Sequence, residues 1–233
     1  ASYLLELEEI QNRVREAIRR GATEVCLQGG IHPNFDGNYY LDVIKAIRKV
    51  SSDIHIHAFS PLEIFQGAQT LGLTLEGYLP ILKEAGLNSL PGTAAEILHD
   101  DVRDIICPDK LNTAEWLSVM DAAHSCGLNS TATIMFGHVE TYDHIAEHLI
   151  NIKNQQIKSG GFTEFVPLPF VAHEAPMSLR GQSRSGPTFR EEILMHSISR
   201  LFFQDHIPNI QGSWVKMGYE GLRKLLSSGI IDV

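Results

Sequence analysis

A chain of 233 residues, 43% of them hydrophobic, carries enough apolar material for one large α/β domain, or for two small ones. Its 28 acidic against 19 basic side chains give a net charge of −9 with no basic block, which argues against nucleic-acid and anionic-membrane surfaces. Membrane spans and a signal-peptide layout are absent, and three scattered cysteines cannot build a disulfide framework, so a reducing compartment, the cytoplasm or an organelle interior, fits best.

The chain opens on a helical pattern from Leu5 to Arg20, with Leu7, Ile10, Val14, Ala17 and Ile18 on one face and Gly21 as its stop. A strand follows at Thr23–Gln28, and the alternation then recurs. Strands are expected at Ile54–Ala58, Leu87–Leu90, Ser130–Met135, Phe162–Val166 and Ile207–Ile210. Helices are expected at Tyr39–Val50, Leu75–Ala85, Ala114–Ser125, Tyr142–Lys158 and Phe189–Gln204. Ser60-Pro61-Leu62-Glu63 is a capping box with proline at the first helical position, and Gly86 and Gly127 follow helix ends. Strands alternating with helices at this spacing imply a parallel sheet, and about six of them imply an α/β fold, a TIM-type (β/α) barrel occupying residues 1–233 as one domain. The abrupt opening and the closing "SSGIIDV" read as truncation at both ends. A doubly wound sheet is the structural alternative. In either arrangement ligands bind outside the carboxyl ends of the strands.

The post-strand segments therefore carry the candidate chemistry. "CLQGGIHPNF" breaks an apolar run with two glycines, which suits a phosphate, a metal held by Cys26 and His32, or the charged end of another cofactor. It lacks the spacing of a dinucleotide fingerprint and the Lys-Ser/Thr of a P-loop. The wide gaps between Cys26, Cys107 and Cys126 disfavour a metal centre built from them. "IHIHAFS" puts His55 and His57 two apart on a strand, hence on one face. They read as a hydrogen-bonded interior pair, or as the start of the metal site of a His-x-His hydrolase barrel with His138 and His173 as further ligands. "SLPGTAAEIL" sets Glu96 early in the next helical turn, where it caps backbone amides or faces a ligand hydroxyl or ammonium group. "TATIMFGHVET" ends a strand with Gly137, His138 and Glu140. "FTEFVPLPF" ends another with Pro167 and Pro169 stiffening a loop, and "IQGSWVKMG" presents Trp214 and Lys216 after a third. Trp116, mid-helix, reads as core.

Taken in order, "TEVCLQGGIHP", "IHIHAFSPLEI", "GLNSLPGTAAEIL", "CPDKLNTAEW", "TATIMFGHVET", "GGFTEFVPLPF" and "NIQGSWVKMG" resemble the radical S-adenosylmethionine enzymes of deazaflavin and menaquinone biosynthesis. Within them, "SLPGTAAEIL", "FTEFVPLPF", "HEAPM" and "SRSGPT" favour the tyrosine-transferring half of the FO synthases over the futalosine-pathway enzymes. The resemblance implies two cofactors, S-adenosylmethionine and a 4Fe-4S cluster that reduces it to a 5′-deoxyadenosyl radical. It implies hydrogen removal from L-tyrosine, cleavage of its Cα–Cβ bond, and transfer of the 4-hydroxybenzyl portion to 5-amino-6-(D-ribitylamino)uracil. A ring-closing half, fused or separate, would complete the deazaflavin.

By the same resemblance, carbonyls of Gln28, Gly29 and Gly30 would accept from the cofactor's α-ammonium group. Glu96 would hold ribose hydroxyls or the amino group, Arg103 or Lys110 the carboxylate, and backbone near Met135, Gly137 and Val166 would border the adenine. His55, His57, His138 and Glu140 would face the substrates, with a histidine taking a phenol or amine proton. One departure is serious: the family's C-x-x-x-C-x-x-C cluster loop is absent from these residues and would lie before Ala1. The 233 residues alone are therefore expected to lack radical activity.

Overall fold

The computed structural model describes residues 4–173 and 175–233. It forms two compact units. One holds the chain up to Pro91 together with Val119–Asn129, and the other holds Gly92–Ser118 with Ser130–Val233.

The first unit begins with α1 (Leu7–Arg19), which buries Ile10 and Val14 of its apolar face. Three strands follow, β1 (Glu24–Leu27), β2 (His55–Ala58) and β3 (Ser89–Leu90), paired in parallel in that order. Between them run α2 (Gly37–Arg48), α3 (Pro61–Thr70) and α4 (Leu75–Ala85). Each helix starts where a side chain takes up its orphan amides: Asp36 for α2, Ser60 for α3 and Thr74 for α4. The expected capping box is present, with Pro61 at the start of α3. A core of Tyr40, Ile44, Ile47, Ile56, Ile64, Tyr78, Leu79 and Leu82, all essentially inaccessible, lies among these elements.

In the second unit, α5 (Asp100–Ile106) precedes α6 (Thr113–Ser125), whose last turns belong to the first unit. Then come β4 (Asn129–Phe136), α7 (Tyr142–Ser159), β5 (Phe162–Pro169), the single turn α8 (Pro176–Leu179), α9 (Phe189–Phe203) and α10 (Trp214–Leu225). Strands β4 and β5 pair in parallel from Ser130↔Phe162 to Phe136↔Pro169. Trp116 is fully buried, as expected, with its indole N–H donated to Thr93 O at 3.1 Å.

Four expectations need correction. The strand at Leu87–Leu90 shrinks to Ser89–Leu90. The strand at Ile207–Ile210 reduces, among the described residues, to one parallel bridge between Phe165 and Ile210. Pro167 and Pro169 lie inside β5 instead of in a loop. In a parallel ladder both peptide groups of a residue point one way, and Phe165 N donates to Asn209 O whereas Phe170 N donates to Phe136 O. The two prolines share the parity of Phe165, so their missing N–H groups face away from β4 and the pairing loses nothing. Finally, Glu96 is not in a helical turn. It sits in a bend before α5 at φ 46°, with Ala94 at φ 60°. A tight bend is needed there because Glu96 O accepts Met135 N at 2.8 Å while its side chain turns to Lys110.

Candidate functional site

The residues after β1 border a cavity in the first unit. Leu27 ends the strand, and Gln28, Gly29, Gly30, Ile31 and His32 border a cavity of about 820 Å³ completed by residues of α1 and α2, by Phe59 and by Glu63. That volume lies within the range of small-molecule sites. One wall is aromatic. Phe35 stacks on Tyr39 with ring centroids 3.7 Å apart, His32 leans on Phe35 at 4.7 Å, and Tyr40 meets Phe59 edge-on at 4.9 Å.

The turn is anchored from α3. Glu63 is 3% exposed and accepts three hydrogen bonds, from Gly29 N at 3.1 Å, Ser60 N at 2.9 Å and Ser60 Oγ at 2.7 Å. Burial pushes its carboxyl up from the usual range, against the downward pull of these donors. One carboxylate therefore closes the cap of α3 and fixes the glycine turn. Among the described residues, no protein group bonds the carbonyls of Gln28, Gly29 or Gly30. A Cβ placed on Gly30 meets nothing within 4 Å, and one on Gly29 meets only Glu63 Oε1 at an ordinary 3.6 Å. Neither glycine is required by the fold around it, so each leaves backbone bare toward the cavity.

A second group stands on one face of the same unit. Glu24 and Cys26 of β1 lie opposite His55 and His57 of β2, and Ser89 of β3 lies opposite His57. Both imidazoles turn to the Ser89 hydroxyl, His55 Nε2 at 2.7 Å and His57 Nδ1 at 2.7 Å. The pair is hydrogen-bonded as expected, through Ser89, but it is partly exposed and not interior. The arrangement does not extend to the hydrolase reading, since among the described residues no three His, Cys, Asp or Glu side chains converge to hold a metal ion. Burial draws the His57 pKa down, partly offset by Glu24.

In the second unit the expected residues are brought together in ways that change their roles. Lys110 pairs with Glu96 at 2.7 Å. Arg103, expected to meet a cofactor carboxylate, is 2% exposed and donates all five of its N–H groups to the carbonyls of Ala94, Ala95, Ile97 and Leu111. Its planar fork supports the bend that carries Glu96, and no donor is left for a ligand. His138 and Glu140, expected to face substrate, are buried in a knot at the end of β4. Glu140 accepts from Gly137 N, from His138 N at 2.8 Å and from Arg184 at 3.3 Å. His138 Nε2 faces Met135 O at 2.9 Å, while Nδ1 meets Val139 N at 2.8 Å and lies 3.2 Å from Glu140 Oε2, so both ring nitrogens are engaged. Burial lowers its pKa. Gly137, at φ 97°, lies so near Pro187 that a Cβ would fall 2.3 Å from Pro187 Cδ. Val166 is buried in β5 opposite Thr133.

Sequence reasoning passed over three participants: Glu63, Ser89 and the aromatic wall. Glu63 was legible only as a helix cap. The aromatic spacing in "HPNFDGNYY" was available as a signal, but nothing in it indicates a cavity.

A family model described as the Radical SAM superfamily matches residues 1–150. The chain is 48% identical over 232 residues to a 5-amino-6-(D-ribitylamino)uracil–L-tyrosine 4-hydroxyphenyl transferase of Methanothermobacter thermautotrophicus, covering all of this chain and 63% of the relative. It is 46% identical to an FO synthase of Streptomyces coelicolor, of which it covers 27%. The chain thus spans less than two thirds of these curated relatives. Among solved structures, methylornithine synthase matches with a TM-score of 0.75 at 16% identity, over 99% of this chain and 62% of that one. That likeness shows the fold class, α/β of the (β/α) barrel type.

Proposed function

This chain belongs to the radical SAM superfamily, and we propose that it is the part of a tyrosine-transferring deazaflavin enzyme that grips S-adenosylmethionine and the aromatic substrates. In this reading the whole protein moves the 4-hydroxybenzyl portion of L-tyrosine to 5-amino-6-(D-ribitylamino)uracil, and a ring-closing half acts on the product. The identity to transferases and FO synthases named for that chemistry supports it.

The observation that carries the proposal is the turn after β1. Three successive carbonyls without a protein partner among the described residues, two of them on glycines that the fold does not need, fit an ammonium group approaching the backbone closely. The neighbouring aromatic wall suits a flat ring system. When bound, S-adenosylmethionine supplies the radical chemistry of the family. The chain's own residues bind it, orient it and hold protons. The 4Fe-4S cluster is another matter. Cys26, Cys107 and Cys126 are free and scattered, and no set of three ligands converges among the described residues. The residues present do not fit a cluster, and no step is drawn through one. No described helix is long and apolar enough to cross a membrane.

Gly30→Ala tests the proposal. The variant should keep the thermal midpoint of the parent, because its Cβ meets no protein atom within 4 Å. It should weaken binding of S-adenosylmethionine about tenfold, the effect of one lost or lengthened ammonium hydrogen bond, measured by equilibrium dialysis of the labelled compound. Equal binding by parent and variant sinks the assignment of this turn.

A further inference from the structure

We infer that Ser89 joins His55 and His57 into a proton relay across β2 and β3, oriented by Glu24 and ending on the outward nitrogen of His57. The chemistry of one hydroxyl carries this. A serine hydroxyl has one hydrogen and two lone pairs. Both facing ring nitrogens stand 2.7 Å from Ser89 Oγ, so the hydroxyl donates to one and accepts from the other. Two bare nitrogens would leave one of them without a donor, and two N–H groups would leave the hydroxyl's own hydrogen without an acceptor among the described residues.

Glu24 chooses the direction. Its carboxylate lies 3.7 Å from His55 Nε2, which favours a proton on that atom. His55 Nε2–H therefore donates to Ser89, and Ser89 O–H donates to His57 Nδ1. His57 is left with Nε2–H as its outward end, and no described group bonds that atom. His55, with 42% of its side chain exposed beside the half-exposed Glu24, is the solvent end.

One turn of the relay balances. His57 Nε2–H breaks and its proton goes to a basic oxygen or nitrogen. Ser89 passes its hydrogen to His57 Nδ1 and receives the Nε2 hydrogen of His55. Solvent returns a proton to His55 Nδ1. The chain is then reversed and accepts a proton at His57 Nε2 by the opposite sequence. Charge and hydrogen count are conserved, and no oxidant or reductant enters. The class of substrate served, an ionisable phenol or aromatic amine, rests on the function proposed above, whereas the relay itself does not. The groups facing the pair are Glu24 and Cys26 from β1 and Ser89 from β3.

Nitrogen-15 NMR of the two imidazoles in this chain, which needs neither cluster nor cofactor, reads the relay apart from any transfer activity. At neutral pH His57 should show a bare, hydrogen-bonded Nδ1 and His55 a protonated Nε2. In Ser89→Ala the His57 ring, with no hydroxyl to hold its Nδ1 bare, should become a mixture of its two neutral tautomers. Ser89→Thr, which keeps the hydroxyl, should restore the single form. A parent protein with His55 Nε2 bare or His57 Nδ1 protonated overturns the relay without any variant. So does a His57 tautomer that stays unchanged in folded Ser89→Ala.

Discussion

Glu63 offers the sharpest perturbation because its two oxygens serve different masters. Oε1 accepts Gly29 N, whereas Oε2 accepts Ser60 N and Ser60 Oγ. Glu63→Ala removes both. Losing the reciprocal half of the α3 cap costs about 1 kcal/mol, and a partly buried Gly29 amide without an acceptor costs about 1–3 kcal/mol more. The sum, about 2–4 kcal/mol, should lower the thermal midpoint by roughly 5–15 °C for a chain of this size. Glu63→Gln separates the two duties. Its single carbonyl oxygen goes where two donors wait, at Ser60, so the amide NH₂ faces Gly29 N–H. The cap should survive while the turn loosens. Urea unfolding followed by circular dichroism gives the first quantity, and hydrogen exchange at the Gly29 amide the second. In Glu63→Gln that amide should exchange about tenfold faster, the equivalent of about 1.4 kcal/mol. An alanine variant as stable as the parent, or a glutamine variant with Gly29 fully protected, refutes the claim that this carboxylate holds the turn.

Arg103→Met should destabilise the chain by about 3 kcal/mol or more, because four carbonyls lose a charged donor that nothing else replaces. Unfolding midpoints check this, and a variant that keeps its stability but loses cofactor binding would restore the carboxylate-binding role rejected above. Glu191 gives an acid-side signature: Arg184 and the Thr188 cap hold its pKa at about 2, below the ordinary 4.5. Its contribution is present above pH 4.5 and lost as pH falls toward 2, since the unfolded chain takes up the proton first. The stability gap between the parent and Glu191→Gln, read from urea midpoints at successive pH values, should therefore close through that window. A gap that does not change with pH contradicts the pairing.

The elements most legible in the sequence were those whose signals are local. The stretch Leu75–Ala85 was bounded correctly because Thr74 caps it and Gly86 ends it at φ 116°. The capping box at Ser60 was legible for the same reason. Resemblance located the turn after β1, and chain-order alternation placed it at a strand end. What failed depended on how the chain folds back on itself outside its regular elements. Arg103 was expected to meet a cofactor carboxylate, yet it is buried because the bend at Ala94–Ile97 and the carbonyl of Leu111 close around it. Pro167 and Pro169 looked like loop residues because proline is a poor ladder donor, and only the parity of the β4–β5 pairing shows that no donor was needed there.

The glycines make the same point from the other side. Gly137 and Gly30 are alike in sequence, each just past a strand. Gly137 has φ 97° and Pro187 in the space a Cβ would take, so the protein itself explains it. Gly30 has ordinary φ and open space around it, so the protein does not. Similar logic separates the histidines. His138 has both nitrogens engaged by nearby backbone, a closed arrangement that leaves no route for a proton. His55 and His57 share one hydroxyl and keep their outward nitrogens, an arrangement with an entrance and an exit. Residues that the fold fully accounts for are poor candidates for chemistry. By that criterion the turn at Gln28–Gly30 and the face bearing His55, His57 and Ser89 are the places in the first unit to probe by mutation, ahead of the His138–Glu140 knot of the second unit.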